Sequence, residues 1–158
     1  MTTIAITEQF GADHDRLDEL FAGFQSLKRR DPAAAKEKFK AFLKGLTRHI
    51  VWEEDVLFPL FEERTGMTDS GPTAVMRQEH RRIKGHLDAI HDKVRVGDPD
   101  SDAAEKALLE LLSAHNMKEE SILYPAIDAG LDQAGLEAAR KAMDAIPQER
   151  YACCCHAH

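Results

Sequence analysis

The sequence predicts an all-α protein: an up-down-up-down four-helix bundle with a short extra C-terminal helix and a loose Cys/His tail. Apolar residues recur at three- and four-residue steps along four long segments, as helices with one buried face require. Gly, Pro and Asp punctuate the short stretches between those segments, and no run of alternating β-branched residues is long enough to argue for a strand. The second half also repeats the first at a fixed offset: His49-Ile-Val-Trp-Glu-Glu-Asp-Val-Leu-Phe-Pro59 returns 66 positions later as His115-Asn-Met-Lys-Glu-Glu-Ser-Ile-Leu-Tyr-Pro125.

The first helix is expected over roughly Thr7 to Arg29, where Phe10, His14, Leu17, Phe21, Phe24 and Leu27 form one stripe with His14 inside it. Asp31-Pro32 offers an N-cap followed by proline at the first helical position, and the second helix should run from there to about Arg64. Its inward face reads Phe39, Phe42, Leu46, His49, Glu53, Val56 and Leu60. Residues 66–71 form the turn. The third helix, about Pro72 to Val96, puts Met76, His80, Ile83, Leu87, Ile90 and Val94 on one seam and stops at Gly97-Asp-Pro-Asp100. The fourth, about Ser101 to Ala129, sets His115 and Glu119 among Leu108, Leu111, Leu112, Ile122 and Leu123, and Gly130 ends it. Leu136 to Ile146 reads as the short fifth helix. Short loops between four amphipathic helices give the up-down-up-down order.

The 158 residues fit one domain, drawn here as residues 1–150 with residues 151–158 as a Cys/His-rich tail. Asp+Glu at 28 against Lys+Arg at 21 leaves the chain acidic, with nothing denser in positive charge than Lys28-Arg29-Arg30 or Arg81-Arg82. That argues against nucleic acid and anionic membrane as partners. The first ten residues lack a basic, apolar leader, and no segment approaches about 18 uninterrupted apolar residues, so a cytoplasmic protein is expected. All three cysteines fall in Cys153-Cys-Cys-His-Ala-His158 and cannot staple the fold. Such a tract is read as a loose tail, with metal delivery and thiol chemistry as its other readings.

Residues at i and i+4 of a helix lie about 40° apart around the axis and about 6 Å apart along it. His49/Glu53 and His115/Glu119 therefore each present an imidazole and a carboxylate to one point of the interior. The same offset carries Asp13-His14 onto Glu79-His80, adding a histidine from each remaining helix. Six donors, four nitrogen and two carboxylate, should meet at one level of the core. Two buried carboxylates cost several kcal/mol each unless cations compensate them, which points to two divalent metals. The competing account is four hydrogen-bonded core histidines. The nitrogen-rich set suits iron better than magnesium or calcium and leaves zinc, manganese and cobalt open. The Glu-x-x-His order of ferritin-like di-iron bundles does not occur.

The doubled His-x-x-x-Glu-Glu-x-x-Leu-Phe/Tyr-Pro pattern resembles the hemerythrin-like, HHE cation-binding, family over about Ile4 to Gly130. The resemblance implies a four-helix bundle holding two non-haem Fe ions with an oxo or hydroxo bridge. By matching position, His14, His49, His80 and His115 are terminal ligands, and Glu53 and Glu119 bridge. The oxygen carriers of that family place another histidine where this chain has Lys84, so a fifth histidine is missing here and each iron keeps an open position. His86, about 120° around the helix from His80, and His91 are poor replacements. The implied function is binding of O2 or a related small oxidant, peroxide or NO, in sensing, detoxification or transport. A peroxide- or NO-reactive enzyme and an iron-trafficking or iron-responsive module are the alternatives, and the oligomeric state is left open. Glu54 and Glu120 are read either as solvated acids or as orienting groups for the histidines. Trp52, Phe58 and Tyr124 are read as core or as cavity wall. Pro59 and Pro125 are expected to kink their helices.

Overall fold

The computed structural model describes residues 3–152; the cysteines and histidines of the tail, 153–158, lie outside them. Among the described residues there is no strand. Helix α1 spans Ile6–Leu27 and α2 Pro32–Trp52, the latter capped by the Asp31 carboxylate, which accepts from the Ala34 N–H at 3.2 Å. A five-residue π-helical stretch, Glu53–Leu57, joins α2 to α3, Phe58–Thr65. Gly66, at φ 75, ends α3 in the left-handed conformation that glycine tolerates. Helix α4, Pro72–Arg95, leads to α5, Asp102–Lys118, and a second π-helical stretch, Glu119–Leu123, joins it to α6, Tyr124–Ala129. Two short helices, α7 (Gln133–Asp144) and α8 (Glu149–Ala152), complete the described chain.

Four long rods therefore form the bundle, α1, α2 with α3, α4, and α5 with α6, as the periodicity predicts. The expected kinks take a specific form. The Phe58 N–H donates to the Glu53 carbonyl and the Tyr124 N–H to the Glu119 carbonyl, five residues back, so each rod carries one wide turn directly after its His-x-x-x-Glu segment. Pro59 and Pro125 come next, one residue after each wide turn, and contribute no N–H to the rod at that point. Ile122, counted inward from its spacing, is 60% exposed, whereas Val56, at the same place in the first wide turn, is buried in the cluster that α7 completes.

The apolar interior is split into two clusters. Leu17, Phe21, Phe24, Phe39, Phe42, Ile83, Leu87, Ile90 and Leu108 fill the end where the chain turns between α1 and α2. Phe10, Leu57, Phe58, Phe61, Met76, Leu123 and Ile127 fill the other, where α7 adds Leu136, Ala139 and Met143. Tyr151, on the tail side of the boundary drawn at residue 150, is buried, and its hydroxyl accepts from the Trp52 indole N–H at 2.8 Å. Buried ionic groups occur away from the centre as well. Lys28 donates to Glu105 at 2.5 Å and also pairs with Asp102, tying α1 to α5, and Ser101 and Gln25 donate to the same Glu105 carboxylate. Among the described residues no helix is long and apolar enough to cross a membrane.

Candidate metal centre

Between the two apolar clusters lies a polar layer made of His14, His49, Glu53, His80, His115 and Glu119. All six are buried, and the two glutamates are 0% exposed. Each rod contributes. α1 brings His14 and α4 brings His80. His49 and His115 sit in the last α-turns of α2 and α5, and Glu53 and Glu119 open the π-helical turns. The donor atoms of Glu53, His80, His115 and Glu119 lie within 4.8 Å of one another, as do those of His14, His49 and Glu119. Glu119 is common to both groups: its Oε1 stands 3.3 Å from the Nε2 of His14 and 3.3 Å from that of His115. Glu53 turns one oxygen to each side, Oε1 at 3.2 Å from His80 Nε2 and Oε2 at 3.6 Å from His49 Nε2.

The four imidazoles share one orientation, because a carboxylate holds the outer nitrogen of every ring. His14 Nδ1 meets Glu120 at 2.9 Å, His49 Nδ1 meets Asp13 at 2.8 Å, His80 Nδ1 meets Glu54 at 2.6 Å and His115 Nδ1 meets Glu79 at 2.9 Å. With Nδ1–H donated outward, Nε2 faces the layer. A metal-ligating histidine is normally oriented in this way. Glu54 and Glu120 thus orient histidines and are not merely solvated. Asp13 and Glu79 do the same, and sequence reasoning assigned them no role although each stands immediately before a histidine in the repeat. In each case the clamp crosses between rods: α2 to α1, α1 to the second π turn, α5 to α4 and α4 to the first π turn.

Tyr124 is the other residue whose place the periodicity did not give. Its hydroxyl lies inside the layer, 2.6 Å from Glu53 Oε2, 2.9 Å from Glu119 Oε1, 3.1 Å from His49 Nε2 and 3.3 Å from His14 Nε2. On an undistorted α-helix a residue five positions after Glu119 would point about 140° away from it. The five-residue turn stacks it beneath. Phe58 is the matching residue of the first half; its ring stacks on His80 at 5.8 Å and 11° and brings no oxygen. Phe10 packs against His49 at 4.9 Å. Trp52, read as core or as cavity wall, is partly buried, with Arg48 over its ring. Lys84 is exposed and pairs with Asp88 at 3.0 Å, and neither His86 nor His91 belongs to a metal-holding group among the described residues.

Charge accounts for the protonation of the layer. Burial alone would discharge His49, yet the Glu53 carboxylate beside it and the hydrogen bond to Asp13 raise it to about 10. His80 rises, against the same burial, to about 9 through hydrogen bonds to Glu53 and Glu54. Burial opposes the charged form of His115 as well, but Glu119 as its main partner shifts it upward. Burial pushes Glu53 up, but the His49 charge and its hydrogen bonds outweigh that and hold it well below the usual carboxylate range. Tyr124 is driven well above the ordinary phenol value by burial and by both glutamates. Raised imidazoles thus face the depressed Glu53 carboxylate, and a bound cation would compete with their protons for the same inward atoms.

The hydrogen bonding tests whether cations fit. Glu119 Oε2 is buried without a hydrogen-bond partner, and Glu53 Oε1 and His80 Nε2 have only each other, at 3.2 Å and without a well-directed hydrogen bond, although nearly every buried polar atom finds a well-formed one. All three are inward-facing atoms of the six candidate ligands. Imidazole nitrogen and carboxylate oxygen form a donor set suited to iron.

The comparisons agree with this geometry. Residues 5–127 match the family described as Hemerythrin HHE cation binding domain. Proteins named iron-sulfur cluster repair protein YtfE, from Yersinia pestis and Yersinia pseudotuberculosis, are 36% identical to the chain over 59 residues. That stretch covers 37% of this chain and 27% of each relative, so the chain spans about a quarter of the length of the curated proteins it matches. No solved structure matches it. With its doubled histidine and glutamate pattern gathered into one buried layer of a four-helix bundle, the chain belongs to the hemerythrin HHE cation-binding domain family.

Proposed function

We propose that this chain is a non-haem di-iron protein that takes a small oxidant, O2, peroxide or NO, at the coordination positions its side chains leave open. His14 and His49 would hold one iron, His80 and His115 the other, and Glu53 and Glu119 would be shared. The inward atoms of Glu53, His80 and Glu119 carry this reading: Glu119 Oε2 meets no hydrogen-bond donor, and Glu53 Oε1 and His80 Nε2 face only each other, at 3.2 Å and without a well-directed hydrogen bond, so that bound cations would satisfy all three. A reduced iron pair supplies electrons and free coordination positions for such a ligand. The chain's own residues prepare the ground for it. Asp13, Glu54, Glu79 and Glu120 keep the outer ring nitrogens protonated and the inner ones presented. Phe10 and Phe58 pack on His49 and His80 and keep bulk water from that face of the layer.

The name of the Yersinia relatives supports a second reading, in which the domain serves iron–sulfur cluster repair with iron itself as cargo. A cytoplasmic setting belongs to both. Metal analysis with absorption spectra under O2, peroxide and NO tests them together. Two irons per chain, and a reduced spectrum that changes on exposure to at least one of the three, are expected. Fewer than one iron per chain overturns the metal assignment. Full occupancy with an unchanging spectrum overturns ligand binding and leaves iron transfer, which a chelator-competition assay of iron release then measures.

A further inference from the structure

The two halves of the layer match residue for residue except at one place that bears on chemistry. Position 58 is Phe and position 124, its counterpart 66 residues on, is Tyr. The phenol oxygen touches four inward donor atoms at 2.6 to 3.3 Å: both imidazole nitrogens of the His14/His49 side and one oxygen of each shared glutamate. As a hydrogen-bonding group it is overcrowded, since a hydroxyl has one proton to give and two carboxylates compete for it. As a ligand it is spaced correctly. Donor atoms at neighbouring corners around an ion with bonds of about 2.1 Å stand about 3 Å apart.

Resting on the di-iron reading above, the geometry points to Tyr124 as a seventh protein donor, its phenolic oxygen bound to the iron held by His14 and His49. The two irons are then inequivalent. One has five protein donors, His14, His49, Glu53, Glu119 and Tyr124. The other has four, His80, His115, Glu53 and Glu119, beside the Phe58 ring. The small oxidant is thereby directed to the His80/His115 iron, which keeps more open positions. Ligation exchanges the phenol O–H bond for an O–Fe bond; the proton leaves to solvent with those displaced from the imidazoles, and no electron moves.

The test uses the full chain in its ferric form, with iron content measured on every sample. Phenolate bound to Fe(III) gives a visible charge-transfer band and resonance Raman lines that shift when tyrosine is ring-deuterated. The expected result is a band with deuterium-sensitive lines in the parent and in Tyr151→Phe, lost completely in Tyr124→Phe at unchanged iron content and helical circular dichroism. Since Tyr124 and Tyr151 are the only tyrosines, the assignment is unambiguous. A parent with two irons but no deuterium-sensitive lines overturns the proposal, as does a Tyr124→Phe protein that retains them. Should Tyr124→Phe lose iron or fold, the labelled Tyr151→Phe protein, in which Tyr124 is the sole tyrosine, decides the matter: deuterium-sensitive lines support the proposal and their absence at full iron content overturns it. A parent that binds no iron fails at the earlier reading, and the metal analysis shows it.

Discussion

Replacing Asp13 with alanine isolates what a carboxylate behind a histidine contributes. Asp13 is 14% exposed, and its Oδ2 holds His49 Nδ1 at 2.8 Å while its Oδ1 takes two bonds from Arg16 and faces Arg48 at 3.8 Å. The two arginines are 45% and 36% exposed and can rehydrate, so their loss of a partner costs under about 1 kcal/mol. His49 is buried and cannot; without Asp13 its ring is free to turn and its Nε2 becomes a weaker base. Loss of such an orienting partner typically lowers metal affinity about 10- to 100-fold, or about 1.4 to 2.8 kcal/mol. The effect on the metal therefore exceeds the effect on the fold. Competition against a chromophoric chelator at fixed pH should show one of two binding steps weakened by that factor, with helical content unchanged. Asp13→Asn, which keeps an acceptor oxygen but not the charge, should fall between. Glu79→Ala should weaken the step that involves His115. An Asp13→Ala protein that binds both ions within about twofold of the parent would refute the reasoning.

Two further outcomes are expected. In the metal-free protein, His49 rises from 6.5 to about 10 and His80 to about 9, so their contribution to stability is complete below pH 6.5 and is lost as pH climbs through 9 and 10. Melting temperature without metal should fall over that range while the iron-loaded protein, whose imidazoles are already deprotonated, holds steady; a widening gap between the two curves is the check, and parallel curves contradict it. At the other end of the bundle, Lys28→Met leaves Glu105, 2% exposed, as a buried charge without its cation. A loss of about 3 kcal/mol in a denaturant titration, with iron content unchanged, is expected there.

The helices and the six buried side chains of the layer could be read from the sequence because each rests on α-helical spacing within a single segment. His49 and Glu53 are four apart, His14 falls in an apolar stripe, and the 66-residue repeat supplies the mates. Spacing could not give the relations that cross between rods or leave α-geometry. Asp13 is adjacent to His14, so a single-helix view turns it about 100° away from that histidine, and only the neighbouring rod reveals that it serves His49. Tyr124 enters the layer solely because the turn after Glu119 takes five residues. The mismatch with Phe58 was visible in the sequence, but its meaning depended on that turn. Spacing also counted Ile122 inward, yet it is 60% exposed while its mate Val56 is buried, because α7 packs on the first wide turn and helix periodicity does not say what will cover a face. Lys28, in the basic run Lys28-Arg29-Arg30, gave no sign of burial until α5 brought Glu105 to it.

The four clamps also divide by parentage. Asp13 serves His49 and Glu79 serves His115 within their own halves, whereas Glu54 reaches across to His80 and Glu120 reaches back to His14. Each half thus aligns one histidine for itself and lends an acid to its sibling. A lone half would carry His14 with nothing to steady its outer nitrogen, but two copies facing each other about a twofold axis would lend that acid reciprocally. In that respect the bundle is built as a dimer whose subunits have been spliced through the segment 66–71, and separately produced halves should reassemble best when iron is present to reward the union.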